Sequence, residues 1–158
     1  MNVRSDMHIR RAESRDAPAI VSLLSEAFSE YRPHYTTAGY EATVIANQQV
    51  ITRIKEGPVW VAIRGELVVG AVSVVPKGES LYIRGMAVLP SASGQRIGEM
   101  LLTHVEKFAV SQGFSRLILS TTPFLDRAIR LYETYGFRRV PGEAPRQGQP
   151  RLLYELCL

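Results

Sequence analysis

The spacing of apolar residues changes period several times along the chain, and each change marks an element. Met7 to Glu13 fits a short first strand, after which Ser14 or Asp16 offers an N-cap and Pro18 sits harmlessly in a first helical turn. Ile20, Val21, Leu24, Ala27 and Phe28 recur at helical spacing, predicting a helix to about Glu30, and Tyr31 to Tyr35 break it. A second helix is expected over Ala38 to Lys55, with Tyr40, Val44, Ile45, Ile51 and Ile54 inward and Gly57-Pro58 as its stop. Val59–Arg64, Leu67–Val75 and Ser80–Leu89 are β-rich, and the turn signal Gly65-Glu66 makes the first two a hairpin. Helical spacing returns from Ile97 to Ala109, ending at Gly113, and again from Leu125 to Tyr132, ending at Gly136. Arg116–Ser120, Phe137–Val140 and Arg151–Leu158 read as strands, and Pro141 to Pro150 as a loop of little order. The order is β-α-α-β-β-β-α-β-α-β-β, an α/β (α+β) arrangement, with neither repeat nor linker to divide it. One domain over residues 1–158 is expected.

Composition narrows the function classes. The chain carries 158 residues with 46% hydrophobic and 22% charged, the balance of an ordinary globular protein. Its net charge is +4, with arginines far outnumbering lysines and spread along the whole length. A mild basic excess attracts phosphates of any kind. The arginines neither cluster on one helix nor interleave with stacking aromatics, so no nucleic-acid partner is expected. The single cysteine, Cys157, reads as a small packed hydrophobe. With His8, His34 and His104 far apart, no metal site is expected. Neither a leader-like nor a membrane-length apolar run occurs, so a cytoplasmic protein away from membranes is the expectation.

One segment carries chemistry. Leu81 to Leu89 runs as a strand into the short loop Pro90 to Arg96 and then straight into a helix. The first turn of a helix leaves backbone N–H groups unpaired at the positive end of the macrodipole, so an anion such as a diphosphate suits Ser93, Gly94, Gln95, Arg96, Ile97 and Gly98. Taken by spacing alone, Gly94-x-x-x-Gly98 serves equally for close helix packing. It is neither a Walker A loop nor a dinucleotide fingerprint.

The combined pattern is more specific. A strand ending Met86-Ala87-Val88-Leu89-Pro90, a loop ending Ile97-Gly98, and Ala128 to Phe137 (AIRLYETYGF) resemble the GNAT-type N-acetyltransferase superfamily, as does the element order. The resemblance implies a mixed central sheet of seven strands flanked by four helices, matching the order read above. It further implies a bulged strand over Tyr82 to Val88 that splays from the strand over Leu117 to Ser120. Acetyl-CoA would be the co-substrate, its pantetheine arm in that cleft beside Met86, Ala87 and Val88 and its diphosphate on Ser93 to Gly98. The chain departs from the family loop, Gln/Arg-x-x-Gly-x-Gly/Ala, at Ser93 and at Arg96, which stands where the central glycine is usual. An asparagine common before the last helix is replaced by Leu125, and neighbouring Asp126 reads as a helix N-cap.

By the same resemblance, Tyr132 is the general acid near the sulfur, although it also shares an apolar stripe with Leu125, Ala128 and Ile129. The glutamate often found beside the bulge is missing, those positions being Tyr82 and Arg84. Base candidates are therefore Glu30, His34 and Glu79, with an ordered water relay as the alternative. Tyr31, Tyr35 and Thr121 are candidate acceptor contacts. Tyr35 could instead pack with Tyr40 over the second helix, and a strand-end threonine needs no function. The implied activity is acetyl transfer to a primary amine of a small molecule or peptide by direct attack in a ternary complex. The alternative is a non-catalytic acyl-CoA-binding or interaction domain on the same fold. A homodimer through the last strand and the Pro141–Pro150 loop stays open.

Overall fold

A computed structural model describes residues 7–92 and 94–158. Its strands are β1 (Met7–Arg11), β2 (Val59–Arg64), β3 (Leu67–Lys77), β4 (Ser80–Val88), β5 (Arg116–Thr121), β6 (Arg138–Val140) and β7 (Leu152–Cys157). Its helices are α1 (Ala17–Phe28), α2 (Thr37–Thr43), α3 (Asn47–Glu56), α4 (Ile97–Ser111) and α5 (Asp126–Tyr135). Among the described residues the strands form one seven-stranded mixed sheet in the order β1-β2-β3-β4-β5-β7-β6. Neighbours are antiparallel except β4 and β5, which run parallel.

Helices cover both faces. A Cβ on Gly70 would meet Ile97 and Leu101 of α4, whereas the adjacent Ala71 shares a small cavity with Ile20 of α1 and Val50 of α3. Successive strand residues point to opposite faces, so α4 lies on one side and α1 with α3 on the other. This is why β2 and the middle of β3 read as continuous apolar runs rather than alternating ones. Val61, Ala62, Val74, Leu81, Leu101, Leu102, Val105 and Leu117 are fully buried at the centre of this core. His104 has a structural place there, its ring edge-on to Trp60 at 5.0 Å.

Several boundaries differ from expectation. β1 stops at Arg11, and α1 stops at Phe28, giving way to a 3-10 turn over Ser29–His34 that carries the chain through Pro33. The single helix expected over Ala38 to Lys55 is two, so five helices flank the sheet instead of four. The two pieces dock on different partners. Thr36 caps α2, its hydroxyl accepting from the Gly39 N–H at 2.9 Å while its own N–H donates to the Gln149 side chain at 2.8 Å. α3 instead packs Val50 inward, and the chain breaks at Val44–Ala46 so that Ile45 can enter the core. Gln49 closes the new end by accepting from the Ala46 N–H at 2.8 Å. The 141–150 loop is also more ordered than its composition suggests. Arg146 and Gln149 pair as a β-bridge, and Gln149 is buried against Thr36. Cys157 is exposed, not packed.

Candidate active site

The site begins with a break in the sheet. β4 and β5 pair from Ser80↔Arg116 to Ile83↔Leu119 and then part. The β3–β4 register steps from Ser73↔Gly85 to Val74↔Ile83, leaving Arg84 as the extra residue of a bulge. A bulge raises local twist and turns the strand away from its neighbour. Beyond Ile83, among the described residues, β4 keeps its partner on the β3 side while no strand pairs its other edge.

A cleft of about 390 Å³ opens along that edge, lined by Met86, Ala87, Val88, Gly94, Arg96 and Gly98 among others. Gly94 has φ +83°, and Arg96 also lies in the left-handed region at φ 62°, where glycine is the easier residue. The N–H groups of Ile97, Gly98 and Glu99 precede the first intrahelical bond of α4, which Met100 donates to the Arg96 carbonyl at 3.0 Å. The two glycines have different reasons to be there. Gly94 permits the turn, whereas a Cβ on Gly98 would stand 2.6 Å from Leu131 Cδ2, so close packing of α4 on α5 also holds. Gln95 is exposed and does not line the cleft, and Ser93 lies outside the described residues. Across the mouth, Arg127 of α5 donates to Glu30 and to the Tyr31 hydroxyl (2.9 Å).

A second cavity of about 300 Å³ lies where β4 and β5 have separated. It shares Phe28, Met86, Leu125 and Tyr132 with the first, so the two meet at these side chains. Tyr132 is 7% exposed, its ring packed near Phe137 (5.9 Å) and Tyr154 (6.5 Å). Burial pushes its phenol up to about 12, with the neighbouring Tyr35 adding to the shift, so the hydroxyl stays protonated at any physiological pH. Leu125, not Asp126, occupies the N-cap of α5 and makes no side-chain cap bond. Its side chain fills the junction of the two cavities, a burial gained at the expense of a cap.

The remaining candidates are dispersed. Tyr35 and Thr121 line the second cavity, but Tyr31 lines the first. Phe124 is the centre of the aromatic cluster, with Tyr35 at 4.7 Å, His34 at 5.4 Å and Tyr31 at 6.3 Å, and Tyr35 meets Tyr40 edge-on at 5.8 Å. His34 and Glu30 are exposed and line neither cavity. Glu79 sits in the β3–β4 turn, at the far end of β4 from the splay, where its carbonyl accepts from the Ser115 N–H at 2.9 Å. None of the three is placed as a base by direct contact with the cavities. Sequence reasoning missed Phe28 and the polar wall of Arg53, Arg146, Gln149 and Arg151. Phe28 carried only a helical-stripe signal. The wall is assembled from segments far apart in the chain, and only the surplus of arginine hinted at it.

Among the described residues no group of three His, Cys, Asp or Glu side chains converges, and no helix is long and apolar enough to cross a membrane. The model of the Acetyltransferase (GNAT) family matches residues 18–137, and the chain belongs to that family. It is similar to the uncharacterized N-acetyltransferase YjgM of Escherichia coli (strain K12), 29% identical over 140 residues, 84% of this chain and 82% of that one. It is 35% identical over 86 residues to N-acetyltransferase 8B of Rattus norvegicus. That match covers 51% of this chain but only 39% of the relative's length, and the first curated relatives are likewise spanned for about two-fifths. In fold it resembles the PaiA N-acetyltransferase of Thermoplasma acidophilum in complex with coenzyme A. The TM-score is 0.83 at 15% identity, over 96% of this chain and 99% of that one.

Proposed function

We propose that the protein transfers an acetyl group from acetyl-CoA to a primary amine, by direct attack in a ternary complex. The observation that carries this reading is the meeting of two cavities at Tyr132 and Met86, one beside an unpaired strand edge and a helix N-terminus, the other open to an acceptor. The residues suit the co-substrate. The bare edge of β4 offers backbone partners to a chain of amides, and the N–H groups from Gly94 to Glu99 offer donors to a diphosphate. Arg96 adds positive charge at the mouth, where Arg127 is paired with Glu30. Acetyl-CoA supplies an activated acyl carbon and a thiol leaving group.

The protein's own groups do the rest. The backbone N–H groups of Met86 and Val88, which alternate away from the β3 ladder, stabilise the oxygen on which charge develops. The Tyr132 hydroxyl, held neutral by burial, donates a hydrogen bond to the departing sulfur. The amine nitrogen bonds to the acyl carbon, the carbon–sulfur bond breaks, and the amine proton ends on the thiol. Neutral amine and thioester become amide and free thiol. Absence of any Asp or Glu from the described lining of the acceptor cavity favours a second reading, an acyl-CoA-binding domain without turnover. Two measurements separate them. Acetyl-CoA should raise the melting temperature, and thiol release should require both acetyl-CoA and an amine. Stabilisation without thiol release across small amines, amino acids, polyamines, aminoglycosides and peptides supports the second reading. No stabilisation at saturating acetyl-CoA overturns both.

A further inference from the structure

The acceptor cavity is lined by four arginines, Arg53, Arg84, Arg146 and Arg151, and by no carboxylate among the described residues. They come from α3, from the β4 bulge and from the two ends of the turn before β7. Two of the four are partly neutralised from outside the cavity: Arg84 by Glu56 at 3.4 Å and Arg146 by Glu143 at 3.8 Å. Arg53 and Arg151 have no acidic partner within salt-bridge reach among the described residues, Arg151 donating only to the Ser120 hydroxyl and carbonyl, both at 2.9 Å. The charges are felt between neighbours. The Arg53 guanidinium is lowered from its ordinary value by burial and then by Arg84, and Arg151 likewise by burial and then by Arg146. Arg84 keeps Nε and Nη2 buried without a hydrogen-bond partner. Desolvated, like-charged guanidinium groups are costly unless an anion compensates them.

We infer that the acceptor is a small amine carrying two carboxylates, which the arginine wall of this cavity holds while the amine reaches the Met86–Tyr132 junction. Two guanidinium groups lack an internal counter-charge, and two carboxylates supply it. This inference rests on the acetyl-transfer reading only for what happens after the amine is bound.

The test is equilibrium binding to the CoA-saturated protein by calorimetry. The probes are L-glutamate, its one-carboxylate counterparts 4-aminobutanoate and 2-aminobutanoate, propylamine with none, and 1,4-diaminobutane. Affinity should fall by on the order of tenfold to a hundredfold per carboxylate removed, as charge-assisted contacts are lost. Arg53→Gln should weaken glutamate at least about tenfold and leave propylamine unchanged, and Arg53→Lys should recover part of the loss. The ligand series on the unaltered protein keeps the test valid should a variant not fold. Propylamine or diaminobutane binding as tightly as glutamate overturns the inference, as does no glutamate binding at all. Tighter binding of the tripeptide Glu-Ala-Ala than of glutamate overturns it in favour of a peptide end. With acetyl-CoA present, thiol release from diaminobutane but not glutamate sinks the acceptor assignment alone. Glutamate binding with no thiol release from any amine of the series sinks acetyl transfer alone.

Discussion

Replacing Tyr132 by Phe separates what the hydroxyl does from what the ring does. The ring is the packed part, 7% exposed between Phe137 and Tyr154, and it is retained. No side-chain hydrogen bond contributes to the titration of the hydroxyl, so its removal should change stability at pH 7 by less than about 1 kcal/mol. The catalytic loss should be far larger, about 10²–10⁴ in kcat, or about 3–5 kcal/mol of transition-state stabilisation, with acetyl-CoA affinity nearly unchanged. Alkaline pH supplies a second readout. Burial raises the folded phenol from 10 to about 12, so its contribution is fully present below pH 10 and is lost as the pH climbs through the folded value. A shift of two units corresponds to about 3 kcal/mol, spread at up to about 1.4 kcal/mol per pH unit. Urea unfolding of wild type and Tyr132→Phe from pH 8 to 12 should therefore diverge as the pH rises, wild type losing up to about 3 kcal/mol relative to the variant at the alkaline end. Tyr135, also raised to about 12 by burial, is present in both proteins and cancels in the difference. Steady-state thiol release completes the assay. A kcat within threefold of wild type removes Tyr132 from the chemistry, and identical alkaline curves refute the burial argument.

Further predictions concern the frame around the site. Arg96→Gly relieves a left-handed residue and should raise stability by about 0.5–1 kcal/mol while weakening acetyl-CoA binding through the lost charge, read by thermal melts and titration. Gly70→Ala would press a methyl to 2.9 Å from Ile97 Cγ2 and 3.0 Å from Leu101 Cδ1. An overpacking cost of about 1–3 kcal/mol is expected in urea, with weaker acetyl-CoA binding because Ile97 opens α4. Asp16 is buried, bonded bidentately to Arg10 at 2.8 Å, and the Arg10 contact holds its carboxyl below the usual value. Asp16→Asn should cost about 1–3 kcal/mol at pH 7, and the gap to wild type should close as the pH falls from the unfolded value through the depressed folded one, since only ionised Asp16 gains.

Local patterns determined much of this protein by themselves. Seven strands, the α4 and α5 stripes and the strand–loop–helix at Leu81 to Leu102 were all legible, because periodicity and turn residues act within a few positions. For Tyr132 local pattern offered only an apolar helical stripe; it was the family resemblance that singled the residue out. Tertiary structure decided what depends on distant partners. One apolar pattern over Ala38 to Lys55 became two helices because Gln149 anchors the first and the core claims Ile45. Of the two meanings of the glycine spacing, the fold shows the packing one at Gly98, since Leu131 stands where its side chain would be. The base candidates dispersed, and four arginines scattered in the chain came to line one cavity. Charge can be counted from a sequence, but its compensation is a matter of ångströms across the fold, and only the packed chain specifies those distances.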